Sequence, residues 1–110
     1  MNNRRSFITG IKSTILSSNE KKFLKKYKPW GVILFTRNIK NIKQTQKLTS
    51  SVRKIFKDQN YPILIDQEGG RVNRLENIMS FANLTSEFFG NKYTKNIKEF
   101  KFFYNLFIDK

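Results

Sequence analysis

Short apolar runs alternate with amphipathic stretches along this chain of 110 residues. Residues 7–11, 31–35 and 61–65 each have the length expected of a β-strand. The run at residues 31–35 is continuously apolar, which is typical of a strand buried on both faces of a parallel sheet. Strands that alternate with helices in this rhythm predict an α/β fold built of βα units with right-handed crossovers.

Three helices are predicted from apolar residues at helical spacing. The first follows a capping-box pattern at Ser17 and Glu20 and runs to about residue 26, since Pro29 prevents its extension. The second spans about residues 45–57 and the third about residues 95–108, with a loop from Asn73 to the start of the third. The inward side chains are predicted to be Phe23, Leu24 and Tyr27 in the first helix, Leu48, Val52, Ile55 and Phe56 in the second, and Ile97, Phe100, Tyr104, Phe107 and Ile108 in the third.

A polar segment follows the third predicted strand directly. Residues 66–72 read Asp-Gln-Glu-Gly-Gly-Arg-Val. Ionisable residues at this point add nothing to a core and must be hydrated or paired. Ligands and catalytic groups collect at the carboxyl ends of the strands in parallel α/β proteins. The segment therefore predicts part of a polar site for a sugar or a phosphate, although a plain strand exit with a solvated ion pair also fits the pattern.

The composition excludes several classes of site within this chain. There is no cysteine and no histidine, so disulfides, thiolate or imidazole metal ligands, and Ser–His or Cys–His catalytic pairs are all absent from these residues. No apolar run approaches the roughly 20 residues that span a bilayer. We therefore expect no metal, no cofactor, no membrane association and a cytoplasmic location.

The positive charge is large and uneven. The net charge is +14, and residues 1–60 carry 15 basic and 2 acidic side chains, a balance of +13, whereas residues 61–110 carry 7 and 6. A basic half is compatible with a nucleic-acid-binding module. Most of these charges are lysines on the polar faces of the predicted helices, however, where they are commonly only solvated. No specific nucleic-acid partner is predicted, and this function stays an alternative.

Two segments together resemble a known family. Residues 30–38, Trp-Gly-Val-Ile-Leu-Phe-Thr-Arg-Asn, precede residues 65–75, Ile-Asp-Gln-Glu-Gly-Gly-Arg-Val-Asn-Arg-Leu, by about thirty positions. In order and spacing they are similar to the N-terminal barrel of glycoside hydrolase family 3, in its bacterial β-N-acetylhexosaminidase branch of the cell-wall-recycling type. The resemblance covers roughly residues 6–90. It weakens beyond Arg74, because the family usually has a Leu-Pro-containing stretch there and residues 77–87 contain no proline.

The resemblance implies part of a TIM (β/α)8 barrel. Such a barrel needs eight βα units and about 250 residues, whereas this chain offers about three units. Residues 1–110 are therefore expected to be one partial barrel domain, truncated at the C-terminus, whose partner is the missing part of the barrel. The family's aspartate nucleophile and its histidine acid/base lie later in the barrel, so no catalytic residue is expected in this chain.

The resemblance assigns Asp66 and Arg74 to binding N-acetylglucosamine. An ionised aspartate accepts hydrogen bonds from sugar hydroxyls and an arginine donates them. Arg74 has an alternative role, which is an ion pair with Glu76 or Glu68. The implied activity is retaining hydrolysis of terminal β-linked N-acetylglucosamine from saccharide substrates, and a non-catalytic carbohydrate-binding fragment is a further alternative.

The polar residues near Asp66 and Arg74 are predicted to hold the surrounding loops in place. Asp66 and Glu68 would point the same way in an extended chain, as the paired carboxylates of a glycosidase would. The glycines at residues 69–70 indicate a sharp turn, so that pairing is rejected and Glu68 is predicted to hold the loop with Arg71. Arg37 and Asn38, at the end of the second strand, are predicted either to support the binding residues without touching the sugar or to be structural.

Overall fold

The computed structural model describes residues 3–67, 72–78 and 85–108, which belong to two compact units. The first unit contains residues 3–67 and 74–78. Its elements are β1 (Arg5–Gly10), α1 (Ser18–Tyr27), β2 (Pro29–Leu34), a 3-10 turn (Thr36–Asn38), α2 (Ile42–Phe56) and β3 (Ile63–Ile65). The second unit contains α3 (Ser86–Lys95) and α4 (Ile97–Ile108).

The three strands form one parallel sheet in the order β1-β2-β3. Gly10 pairs with Ile33, and Leu34 pairs with Ile65, so the carboxyl ends of the strands reach the same edge. Gly31 in the central strand allows β3 to approach closely, because a Cβ there would lie 3.1 Å from the Pro62 carbonyl oxygen. The predicted α/β class with parallel strands is confirmed.

The core of the first unit lies between the sheet and the two helices. Val32 and Leu34 of β2 are buried together with Leu24 of α1 and with Leu48 and Val52 of α2. Each such side chain contributes about 1.5–3 kcal/mol when it is fully removed from water. The apolar spacing read from the sequence therefore identified Leu24 of α1 and Leu48 and Val52 of α2 as core residues.

The predicted capping box at the start of α1 is present. The Ser17 hydroxyl accepts a hydrogen bond from the Glu20 backbone N–H at 3.2 Å, and the Glu20 carboxylate accepts one from the Ser17 N–H at 2.8 Å. The same carboxylate also accepts the Lys12 N–H at 2.7 Å. Glu20 therefore fastens the loop after β1 to the beginning of the helix.

Two details of the predicted helices were wrong. Phe23 does not face inward; it is 40% exposed and packs only at its edge against Phe7 and more closely against Tyr27. The second helix begins at Ile42, three residues before the predicted start. Asn41 explains the difference, because its side chain accepts the Gln44 N–H at 2.8 Å and caps the helix there.

The prediction of a loop from Asn73 to about residue 95 holds for residues 73–78 but was wrong for residues 86–95, which form α3. Gly90 and Asn91 are weak helix formers and hid this helix from the sequence pattern. Contacts with α4 stabilise it instead, since Tyr93 packs edge-to-face on Phe100 at 5.2 Å. Other contacts within this unit are the Phe88–Phe103 ring pair at 5.5 Å and the Lys92–Glu99 ion pair at 2.9 Å.

The predicted inward face of α4 is confirmed only in part. Phe100 and Tyr104 contact the Phe89 ring of α3, although Tyr104 remains 44% exposed. Ile97 is 45% exposed. The side chains of Phe107 and Ile108 lie outside those described. Across residues 3–67, 72–78 and 85–108, none of the helices has the length and apolarity needed to cross a membrane.

Candidate functional site

The carboxyl ends of the three strands lie side by side. We call this region the carboxyl edge and define it by Gly10, Phe35, Arg37, Asp66 and Arg74. Phe35 follows the last residue of β2 and Asp66 follows the last residue of β3, and those two last residues are paired in register. The edge therefore gathers one carboxylate, two guanidinium groups and an aromatic ring in the first unit.

Asp66 is exposed at this edge. Among the residues that the structure describes, no hydrogen bond or ion pair engages its carboxylate. An exposed carboxylate with both oxygens open accepts hydrogen bonds from hydroxyl groups of a ligand. The position predicted from the sequence is thus one that a saccharide can reach.

Arg74 is held at the carboxyl edge through its backbone. Its N–H donates to the side-chain oxygen of Gln67, the residue after Asp66, at 3.0 Å. Its guanidinium carbon lies 5.5 Å from the centre of the Phe35 ring, and its Nε is buried without a hydrogen-bond partner. No ion pair joins it to Glu76 among the described residues, and Glu68 lies outside them.

The turn that carries Arg74 returns to the core of the first unit. Leu75 and Ile78 pack against the buried cluster between the sheet and the helices. Asn77 donates from its side-chain nitrogen to the Ile39 carbonyl oxygen at 2.7 Å. These contacts explain how a segment without regular secondary structure still presents Arg74 at the carboxyl edge.

Arg37 occupies the neighbouring part of the edge. Its guanidinium carbon lies 4.8 Å from the same Phe35 ring, and its Nε donates to the Ile11 carbonyl oxygen at 3.0 Å. A Cβ at Gly10 would lie 3.3 Å from the Arg37 Nη2 and 3.5 Å from the Phe35 ring. Glycine at residue 10 therefore leaves the space that this arginine and this ring occupy.

Asn38 holds the strand ends together, as predicted for a structural residue. It is fully buried and donates from Nδ2 to the carbonyl oxygens of Ile11 and Ser13, each at 2.8 Å. Its Oδ1 accepts the Phe35 N–H at 2.9 Å. One amide thus satisfies three backbone groups where the ends of β1 and β2 diverge.

A basic cleft lies at the opposite end of the sheet. It encloses about 300 Å³ and is lined by cationic side chains that include Arg4, Lys25, Lys28 and Lys57. Lys28 and Lys57 terminate α1 and α2 in the left-handed conformation, with φ of 48° and 51°. A positive charge at a helix C-terminus is stabilised by the negative end of the helix dipole, so the positions of Lys28 and Lys57 at the ends of α1 and α2 account for these two lysines.

Arg4 in the same cleft is already engaged. It pairs with Asp58, and this hydrogen bond holds the pKa of the Asp58 carboxyl below its ordinary value. Its guanidinium also lies 4.7 Å from the centre of the Tyr61 ring. The cleft therefore gives no specific support to the nucleic-acid-binding alternative.

Some residues of the candidate site were singled out from the sequence and others were not. Asp66 and Arg74 both belong to the first unit, and their assignment to the sugar stays a prediction, whereas Glu68, the glycines at 69–70 and Arg71 are outside the described residues. Phe35 and Gln67 were not singled out, although both contact Arg74. Their positions in the sequence could have identified them, because Phe35 directly follows β2 and Gln67 directly follows Asp66.

Comparison with known proteins shows that this chain is similar to bacterial β-hexosaminidases. The chain is 44% identical over 71 residues to a β-hexosaminidase of Haemophilus influenzae, with 63% of this chain and 19% of the relative covered. It is 36% identical over 92 residues to a β-hexosaminidase of Xanthomonas axonopodis pv. citri, with 81% and 26% covered. A solved structure of NagZ from Neisseria gonorrhoeae in complex with N-trifluoroacetyl-D-glucosamine matches with a TM-score of 0.59 and 32% identity, over 69% of this chain and 21% of that one.

The resemblance to the bacterial β-hexosaminidases of glycoside hydrolase family 3 is confirmed. The chain spans about a fifth of the length of the curated relatives that it matches. Its parallel sheet fits an N-terminal part of a TIM barrel, as predicted. No general model of a protein family matches the chain.

Proposed function

We propose that this chain supplies N-acetylglucosamine-binding residues of a β-N-acetylhexosaminidase that hydrolyses terminal β-linked N-acetylglucosamine with retention. The observation that carries the proposal is that Asp66 is exposed at the carboxyl edge and that Arg74 is hydrogen-bonded there to Gln67, the residue after Asp66. The β-hexosaminidase relatives and the NagZ structure, which holds a glucosamine derivative, support this choice of sugar. The likeness to NagZ also favours a role in cell-wall recycling and, we infer, in the cytoplasm.

The proposed roles follow from the chemistry of the two side chains. The Asp66 carboxylate accepts hydrogen bonds from two sugar hydroxyls, and Arg74 donates to ring hydroxyls from its guanidinium. Hydrogen bonds that involve a charged group contribute about 1.5–3 kcal/mol each. Loss of one such bond corresponds to a weakening of the sugar affinity by about 10- to 150-fold.

Bond cleavage is assigned to other parts of the barrel. The retaining mechanism needs a carboxylate nucleophile and an acid/base group about 5 Å from it, and the family resemblance puts both beyond these residues. We infer that residues 1–110 are part of one barrel domain and that the remaining strands lie outside them. The 110-residue chain by itself is expected to bind the sugar and not to hydrolyse its glycosides.

The test compares sugar binding by the 110-residue chain and its variants in calorimetric titrations with N-acetylglucosamine. Asp66→Asn and Arg74→Ala should each weaken binding at least about tenfold. Glu76→Gln is the matched control, since it removes an exposed carboxylate two residues from Arg74 and should leave the affinity unchanged. Equal affinity in all four proteins would contradict the proposed roles.

A hydrolysis assay tests the division of labour. The chain should release no chromophore from a chromogenic N-acetylglucosaminide, because it has no histidine and only Asp66 and Arg74 are assigned to the sugar. Turnover by the purified chain that is lost in Asp66→Ala would contradict the claim that catalysis needs other residues. The same assay on a polypeptide that includes the rest of the barrel should show turnover, which would exclude the non-catalytic carbohydrate-binding alternative.

A further inference from the structure

The Phe35 ring is the common neighbour of both guanidinium groups at the carboxyl edge. The guanidinium carbon of Arg37 lies 4.8 Å and that of Arg74 lies 5.5 Å from the ring centre. A cation within about 6 Å of an aromatic ring centre is attracted to the face of the ring. Phe35 is therefore placed to act on the arginine that is proposed to bind the sugar.

The other groups around Arg74 do not fix its guanidinium. Its Nε is buried without a hydrogen-bond partner, and no ion pair joins it to a carboxylate among the described residues. Gln67 holds only the backbone N–H. An arginine held by a carboxylate would use its N–H donors on that partner, whereas contact with a ring engages the flat face and leaves the donors available.

We propose that Phe35 is a positioning residue for Arg74, so that stacking on an aromatic ring, and not an ion pair, presents this guanidinium to the sugar. The inference rests on the proposed function in one respect only, which is the assignment of Arg74 to the sugar. The contact between ring and guanidinium is a separate property of the fold and is measured separately below.

The ring itself is well fixed. Phe35 directly follows β2, and its N–H is held by the buried Asn38 side chain at 2.9 Å. Gly10 leaves room for the ring, because a Cβ at residue 10 would lie 3.5 Å from the edge of the Phe35 ring. Arg37 does not depend on the ring alone, because its Nε donates to the Ile11 carbonyl oxygen. Removal of the ring should consequently release Arg74 more than Arg37.

The first measurement is a nuclear magnetic resonance spectrum of the chain without sugar. The Hδ protons of Arg74 should be shifted upfield by the ring current of Phe35 in the wild type. This shift should be lost in Phe35→Leu and retained in Phe35→Tyr, which keeps the ring. Arg74 Hδ signals that are the same in wild type and Phe35→Leu would overturn the proposal.

The second measurement is the N-acetylglucosamine affinity of the same proteins. Phe35→Leu should weaken binding by about 2- to 30-fold, the range of a cation–π contact, while Phe35→Tyr binds as the wild type does. Phe23→Leu, the same change at a 40%-exposed phenylalanine of α1, is the control and should have no effect. Wild-type affinity in Phe35→Leu, combined with weak binding by Arg74→Ala, would overturn the positioning role.

The two measurements separate the two proposals. If the wild type does not bind the sugar, the proposed function fails, and the Arg74 signals still decide whether Phe35 holds the guanidinium. If Phe35→Leu does not fold, nuclear Overhauser contacts between Phe35 ring protons and Arg74 Hδ in the wild type decide the question. Their presence supports the proposal and their absence overturns it.

Discussion

Replacement of Asn38 by aspartate should destabilise the chain more than replacement by alanine, which removes the side-chain amide. The buried Asn38 amide donates two hydrogen bonds and accepts one. Asn38→Asp keeps the bond accepted from Phe35 but loses both donated bonds, each worth about 1 kcal/mol net. It also turns a buried carboxylate toward the carbonyl oxygens of Ile11 and Ser13, which adds a penalty of about 2 kcal/mol. We expect a total loss of about 4 kcal/mol at pH 7, against about 3 kcal/mol for Asn38→Ala.

The pH dependence distinguishes the charge from the lost volume. Burial raises the pKa of the introduced carboxyl above its unfolded value of about 4. The penalty is therefore absent below that unfolded value and grows as the pH rises toward the folded pKa. The difference between Asn38→Asp and Asn38→Ala should shrink at pH 4, where the protonated group can again donate one hydrogen bond.

Urea denaturation followed by circular dichroism measures these differences. With a slope of about 1–3 kcal/mol per molar urea, a loss of about 4 kcal/mol lowers the midpoint by about 1.3–4 M. Asn41→Asp is the matched control, because Asn41 is an exposed N-cap and aspartate caps equally well. An Asn38→Asp protein that is more stable than Asn38→Ala at pH 7 would refute the reasoning.

The remaining predictions concern other parts of the fold. Glu20→Ala should lower the free energy of unfolding by about 1–2 kcal/mol. Burial opposes the ionised form of Glu20, but backbone hydrogen bonds from Lys12 and Ser17 lower its pKa, so the stabilisation is present above the ordinary pKa of 4.5 and is lost as the pH falls through the folded value. Acid-unfolding curves of the variant should lack this pH-dependent loss. Burial raises the pKa of Tyr61 to about 12, so the free energy of unfolding of the wild type should fall by up to about 3 kcal/mol between pH 10 and 12. Tyr61→Phe should show a smaller fall when both proteins are unfolded in urea across that range. Phe100→Ala should reduce the helical signal at 222 nm more than Phe102→Ala, a change at a 64%-exposed ring; equal effects would contradict the packing of α3 on α4.

The sequence predicted those features that depend on short-range patterns. The apolar run at residues 31–35, the capping box at Ser17 and the helical spacing of Leu48 and Val52 each report local geometry. The structure has the capping box, the buried helix face and a strand over this run that ends at Leu34. The place of Asp66 directly after an apolar strand is visible in the chain in the same way, whereas its role in sugar binding stays a prediction.

The features that the sequence did not predict depend on contacts between distant residues. The helix α3 contains Gly90 and exists because its aromatic rings pack on α4. Phe35 looked like the last residue of a strand, and its contact with Arg74 arises only when the chain returns to the sheet 39 residues later. Local propensity contains no information on either contact.

The central claim is that the carboxyl edge, and not the basic cleft, binds N-acetylglucosamine. The most direct test is a two-dimensional ¹⁵N–¹H spectrum of the chain titrated with this sugar. We expect the largest changes at the backbone amides of Phe35, Asp66 and Arg74, and their loss in Asp66→Asn. Changes confined to residues of the cleft, such as Lys28 and Lys57, or no change at saturating sugar, would contradict the account.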